Sequence, residues 1–211
     1  MRERLVDEAG GDVFLTRRAG GFTVVELMIT IAVMALLVMA AAPAFLRWSA
    51  NARVRSVAES LANDLRQAQT EAITRNRQTV LALTQGAPAL TAQPAVDGRH
   101  WFSRALPLVS SEAVDAEDFI HGSTQAALNN VTVEGQALMC FNSIGRPVAN
   151  LATGLGADCA APTSAVTPLR YVVSQTSADR RYTVEVYLGG KVRLCDGAKV
   201  LSADHPDGCA T

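Results

Sequence analysis

Gly20-Gly21-Phe22-Thr23-Val24-Val25-Glu26-Leu27 opens a run, Phe22 to Phe45, that is almost wholly apolar and carries one charge, Glu26. About 20 apolar residues suffice to cross a bilayer as a helix. A carboxylate near one end of such a span is costly and therefore marks a functional position. Arg17 and Arg18 lie just upstream and are expected to hold that end on the cytoplasmic side. An ordinary secretory signal places its small residues after a shorter apolar core. Here Ala19-Gly20-Gly21 precede the apolar run. Cleavage at that point removes a hydrophilic leader and leaves the hydrophobic helix on the mature chain.

That order of features resembles the class III signal of type IV pilins and type II secretion pseudopilins. The resemblance implies that prepilin peptidase cuts between Gly21 and Phe22 and that Phe22 is then N-methylated. It makes Glu26 the fifth mature residue and Pro43 the twenty-second, where many pilins carry proline. No Lys or Arg lies between Phe22 and Leu46 to pair with Glu26. In the family the implied partner is the freed amine of a neighbouring subunit, which sets the stagger between helices. Glu26 is thus expected to guide assembly and not catalysis.

The expected organisation is a leader over 1–21, a transmembrane and assembly helix over 22–45, an amphipathic extension over 46–77 and a β-rich globular domain over 78–211. Leader charges balance, with Arg2, Arg4, Arg17 and Arg18 against Glu3, Asp7, Glu8 and Asp12, so the mature chain keeps the whole chain's formal charge of −1. The leader is longer and more acidic than its role requires, and a true start nearer Val13 is expected. Near-neutral charge argues against non-specific nucleic-acid binding by the whole domain, but leaves room for a local basic patch.

From Val54 the apolar positions run Val54, Val57, Ala58, Leu61, Leu65, Ala68 and Ala72. Steps of three and four make one helix face that is expected to pack on a sheet. Pro43 is expected to kink the helix without ending it. Strands are expected at Gln78–Thr84, Arg99–Ala105, Val131–Val133, Ala137–Phe141 and Leu169–Ser174. Ser110–Asn130 is polar and acidic and is expected to contain an exposed loop, and Thr153–Thr167 reads as irregular. A hairpin closes the series. A three-residue loop, Leu188–Gly190, aligns Val186 with Val192, Val184 with Leu194 and Glu185 with Arg193, and keeps one face apolar.

Cys140, Cys159, Cys195 and Cys209 form an even set on the expected exported side, which reads as two disulfides. Of three possible connectivities, the local pairs Cys140–Cys159 and Cys195–Cys209 each close a short loop rich in Gly, Pro and Asp. Metal-binding C-x-x-C spacing is absent. His100, His121 and His205 are scattered and form no ligand or triad spacing. Ser110, Ser111 and Ser143 lack a nucleophile-elbow context. Glu112, Asp115, Glu117 and Asp118 lack the EF-hand pattern. No catalytic residue, metal or cofactor is expected.

Asn51-Ala52-Arg53-Val54-Arg55, Ala68-Gln69-Thr70-Glu71-Ala72-Ile73-Thr74-Arg75-Asn76, Trp101-Phe102, Gly145-Arg146 and Gly190-Lys191-Val192-Arg193 are similar to the FimT/FimU/GspH branch. The resemblance implies an α+β, type IV pilin-like fold: a long N-terminal helix packed on a small, antiparallel, β-sandwich-like domain. The implied role is a minor pilin of a type IV pilus or a GspH-like pseudopilin of a type II secretion system. Its partners are then prepilin peptidase, other minor and major pilins or pseudopilins, and the bacterial inner membrane, with the globular domain periplasmic. FimT-like members carry a G-R-x-R motif linked to DNA binding. Gly190-Lys191-Val192-Arg193 is similar but replaces the first arginine's fork with a point charge. Lys191, Arg193 and Arg181 are therefore the candidate DNA contacts, with Arg180 and Lys199 nearby. The alternative for Arg193 is a surface ion pair with Glu185.

Overall fold

The computed structural model describes residues 21–210 apart from Ser110. Arg17, Arg18 and the start expected near Val13 lie outside the described residues. Helix α1, Val24–Arg75, is helical through Pro43. The chain divides into two compact units, one reaching Pro43 and one starting at Ala44.

In the first unit every described residue is exposed, including Val25, Leu27, Met28, Ile31 and Leu36. This half of α1 is long and apolar enough to cross a membrane.

In the second unit Val54, Val57, Ala58, Leu61, Leu65, Ala68 and Ala72 are all buried, so the sequence spacing identifies the packed face. Asn76 ends the helix in the left-handed region, at φ 50°. Arg77 N–H then donates back to the Ala72 carbonyl at 3.2 Å, a closing geometry that Asn tolerates.

The strands are β1 Thr79–Thr84, β2 Asp97–Gly98, β3 His100–Ala105, β4 Phe119–Ser123, β5 Thr132–Glu134, β6 Leu138–Phe141, β7 Pro147–Val148, β8 Leu169–Ser174, β9 Tyr182–Val186, β10 Val192–Val200 and β11 Gly208–Cys209; α2 is Gln125–Leu128. Sheet A has the order β4-β3-β1-β6-β7 and sheet B the order β11-β10-β9-β8-β5-β2. Pairing is antiparallel except between β10 and β11. The fold is α+β, an N-terminal helix against antiparallel sheets.

One core joins the α1 face to both sheets: Leu81, Leu83, Trp101, Met139 and Phe141 from sheet A, and Val133, Tyr171, Val173, Val184 and Val186 from sheet B. The alternate positions of sheet A, Val80, Ala82, Phe102, Leu138 and Cys140, pack instead with Leu155 and Cys159. Sheet A is covered on both faces, which explains why every residue of β1 is buried and why its sequence, Thr-Val-Leu-Ala-Leu-Thr, reads as a continuous apolar run instead of an alternation.

Ser110–Asn130 contains the exposed stretch expected, residues 113–117, and regular structure besides. It holds a 3-10 turn, Ala116–Asp118, as well as β4 and α2. Asp115 caps that turn and Asp118 returns the bond to the Asp115 N–H. Glu112 accepts from Arg77 at 2.8 Å, and from Leu108 N–H. These two contacts, the backbone bond first, hold the Glu112 carboxyl below its ordinary range. Asp115 and Glu117 are exposed, whereas Glu112 and Asp118 are partly or fully covered and lie beside Arg77, a partner distant in sequence that local composition does not reveal.

Two tight turns meet on one helix residue. Gln69 Nε2 donates to the carbonyls of Gly145 at 2.5 Å and Gly190 at 3.0 Å. Both glycines have positive φ, 76° and 87°. A Cβ on Gly190 would lie 2.5 Å from Gln69 Nε2 and 2.6 Å from the Gly145 oxygen. The β6–β7 turn of sheet A and the β9–β10 turn of sheet B are thereby clasped to α1 at the same point.

Candidate functional site

Two regions carry the residues that the sequence singles out. The first is the start of α1. Thr23 Oγ1 accepts the Glu26 N–H at 3.2 Å, and the Thr23 carbonyl accepts the Leu27 N–H at 3.1 Å. Thr23 is therefore the N-cap, and Thr23-Val24-Val25-Glu26 has the S/T-x-x-E spacing of a capping box. That signal was readable in the sequence and was missed there. Glu26 sits in the first turn, where the helix dipole favours a negative charge. Among the described residues the Glu26 carboxylate has no cationic partner. Phe22 is 83% exposed, and Gly21 precedes it outside the helix, with nothing within 4 Å of where its Cβ would stand.

The second region is the outer face of sheet B. The hairpin has the register expected, Val186 with Val192, Glu185 with Arg193 and Val184 with Leu194. Gly190 takes the positive φ that the three-residue loop requires. Arg170 also lies opposite Glu185, so Arg193, Glu185 and Arg170 form one row across three strands.

Glu185 is fully buried, and it does not make the surface ion pair with Arg193. Its carboxylate accepts from Arg170 Nε at 3.4 Å, Tyr187 Oη at 2.8 Å and Ala210 N–H at 3.0 Å. Arg193 instead donates from Nη2 to the carbonyls of Pro206 at 2.7 Å and Gly208 at 2.8 Å. The physical reason is the segment 205–210, which lies against this face and bonds both Glu185 and Arg193. Hairpin alternation alone marks Glu185 as exposed because it takes no account of a later segment.

The remaining candidate cations go to separate partners. Lys199 meets Asp207 at 2.6 Å, and that hydrogen bond holds the Asp207 carboxyl below its usual range. Lys191 lies 5.8 Å from the centre of the Tyr187 ring, within cation–π reach. Arg180 is 3.9 Å from Asp196. Arg181 is exposed beside β9. Arg170, which the sequence reading did not select, belongs to the same face because it pairs with Glu185 from β8.

Disulfides join Cys140 to Cys159 and Cys195 to Cys209. The first bridges β6 of sheet A to the loop covering its outer core. The second ties β11 to β10. Glu185, Cys195 and Cys209 place ligand-type atoms within 4.8 Å of one another. With both sulfurs in a disulfide, no thiolate is present to bind a metal.

A buried polar group joins α1 to sheet A. Asp64 accepts from Trp101 Nε1 at 2.7 Å, and His121 Nε2 lies 3.7 Å from its other oxygen. Desolvation raises the Asp64 carboxyl above its ordinary range, against the opposing effects of Trp101 and His121.

A capped apolar helix with an N-terminal carboxylate, joined in sequence to a two-sheet domain, defines a pilin-like subunit equipped for membrane anchoring. The chain belongs to the family described as Type II transport protein GspH, which it matches over residues 57–190. Residues 16–42 match the prokaryotic N-terminal methylation motif. The family match ends at Gly190, before β10 and the segment across it. No curated protein matches the chain in sequence. Two crystal structures of the type IV minor pilin FimU from Pseudomonas aeruginosa are similar at 15% identity. In space group P65 the similarity covers 69% of this chain and 94% of FimU, with a TM-score of 0.45. In space group P21 it covers 69% and 90%, with a TM-score of 0.47.

Proposed function

We propose that this chain is a minor pilin, a structural and assembly subunit of a type IV pilus. It inserts in the inner membrane with its globular domain periplasmic. Prepilin peptidase cuts between Gly21 and Phe22, Phe22 is N-methylated, and the mature chain joins other minor and major pilins. The observation that carries this reading is the helix start. An apolar helix capped at Thr23 presents, one turn in, a carboxylate with no cation beside it among the described residues. The amine of a neighbouring Phe22 fits that charge, and pairing would remove the cost of leaving it alone in lipid.

The test has two arms. Gly21→Val blocks maturation while the precursor still reaches the membrane; a mature product of unchanged mass would refute the cleavage site. Glu26→Ala is processed normally but is depleted from sheared fibres, and wild-type incorporation would remove the assembly role.

A second reading, a GspH-like minor pseudopilin of a type II secretion system, is supported by the family description itself. Deleting the gene and scoring both surface piliation and secreted protein distinguishes the two. DNA binding through Lys191, Arg193 and Arg181 comes third, because the Arg193 guanidinium is already bonded to Pro206 and Gly208. Neither fibre reading requires an enzyme activity.

A further inference from the structure

Across β8, β9 and β10, side-chain alternation sends Tyr171, Val173, Val184, Val186 and Val192 into the core. The opposite face receives Arg170, Arg193 and Lys199 from the strands, and the same alternation adds Arg181 and Lys191 at the strand entrances. Glu185 is the one carboxylate at the outward positions of these three strands.

Such a face is expected to attract anions. Yet three of the five cations are satisfied by one peptide segment. Arg193 donates to Pro206 and Gly208, Arg170 donates to Ala210, and Lys199 pairs with Asp207. The segment's oxygens stand where those of an oxyanion would bind, and the guanidinium fork suits phosphate geometry.

One covalent bond, Cys195–Cys209, holds this segment, together with backbone bonds from Asp196 N–H to Asp207 and Leu201 N–H to Cys209 and the Ala210 N–H on Glu185. β11 is two residues long and pairs with β10 through a register shift. Lys199, Asp207 and Arg170 are substantially exposed, and exposed ion pairs contribute little. The Cys195–Cys209 bridge keeps the segment's local concentration high, so its weak contacts outcompete a free ligand.

We propose that the outer face of β8–β10 is a binding site for phosphate oxyanions, held shut by segment 205–210, and that reduction of Cys195–Cys209 opens it. The bridge takes two electrons and two protons from a dithiol and becomes two thiols, while the dithiol leaves as its own disulfide. The segment then exchanges with the anion on Arg170, Arg193 and Lys199. This inference rests on sheet B and is independent of the assembly reading.

The test titrates sodium tripolyphosphate into the full-length chain in non-ionic detergent at low salt. Cys195→Ser/Cys209→Ser opens this bridge and leaves Cys140–Cys159 intact. The open variant is expected to bind about tenfold more tightly than the oxidised wild type, with affinity falling steeply as salt rises. Adding Arg170→Gln and Arg193→Gln abolishes the gain. Amide exchange across 205–210 rises in the open variant. Equal affinity in the two forms overturns the proposal, as does unchanged exchange of that segment. If the serine pair does not fold, graded dithiothreitol on the wild-type chain repeats the test, with each opened bridge counted by alkylation and mass. A duplex DNA of equal phosphate content, run in parallel, distinguishes a phosphodiester polymer from free polyphosphate as the source of the oxyanion.

Discussion

Two halves of one helix use apolar residues in opposite ways. Before Pro43, α1 is apolar apart from Glu26 and Thr30 and is exposed on every side. From Ala50 to Ala72, apolar residues occupy one face, and that face is buried against strands of both sheets. The first half is long and apolar enough to cross a membrane; the second buries its apolar face against the sheets of its own unit. An identical substitution should therefore have different consequences in the two halves.

The largest contrast is between Leu61→Ala and Leu36→Ala. Leu61 is fully buried and Leu36 is 68% exposed. Truncating a buried leucine costs about 2–5 kcal/mol, so Leu61→Ala should lower the midpoint of domain unfolding in denaturant by a corresponding amount. Leu36→Ala should leave that midpoint unchanged. Equal shifts would mean that the first half packs within its own chain after all.

Asp64 gives the next effect and has a pH signature. Its folded-state carboxyl is raised, mainly by desolvation. Such a group contributes stability below the unfolded carboxylate pKa, and loses it as pH rises through the folded value. Wild type should therefore be most stable relative to Asp64→Asn below about pH 4, with the advantage shrinking as pH rises toward neutral. Paired melts at several pH values measure it. Asp64→Ala should cost about 1–3 kcal/mol because Trp101 Nε1 loses its buried acceptor.

The smallest effect sharpens the other side of the comparison. Removing the Thr23 cap with Thr23→Ala should destabilise the helix start by about 1 kcal/mol. Amide exchange at Val24–Leu27 should quicken in detergent while the domain melt stays put. A shift in the domain melt would show that the two halves of α1 are energetically coupled.

Much of the fold was legible because its signals are local. Steps of three and four from Val54 to Ala72 identified the packed helix face. Alternation in Tyr182–Val186 fixed the hairpin register, since a one-residue slip reverses every side chain. The Thr23 cap was legible too, from T-x-x-E, but went unread. Glu185, Arg170 and Asp64 were not legible. Each owes its environment to a residue far along the chain: Ala210 above Glu185, Glu185 beside Arg170, Trp101 against Asp64. The Gln69 clasp is similar, because no local pattern brings Gly145 and Gly190 to one side chain.

The sequence by itself determined the apolar span, the placement of Glu26 within it, the amphipathic continuation of the helix and the hairpin pairing. These follow from hydropathy and periodicity within a few turns of chain. Only the tertiary structure decided which polar groups are buried and which cations are occupied. That outcome depends on which later segment covers a given face. The strand alternation that exposes Glu185 and Arg193 in a hairpin gives way once residues 205–210 are laid across it: Glu185 is buried and Arg193 half-buried.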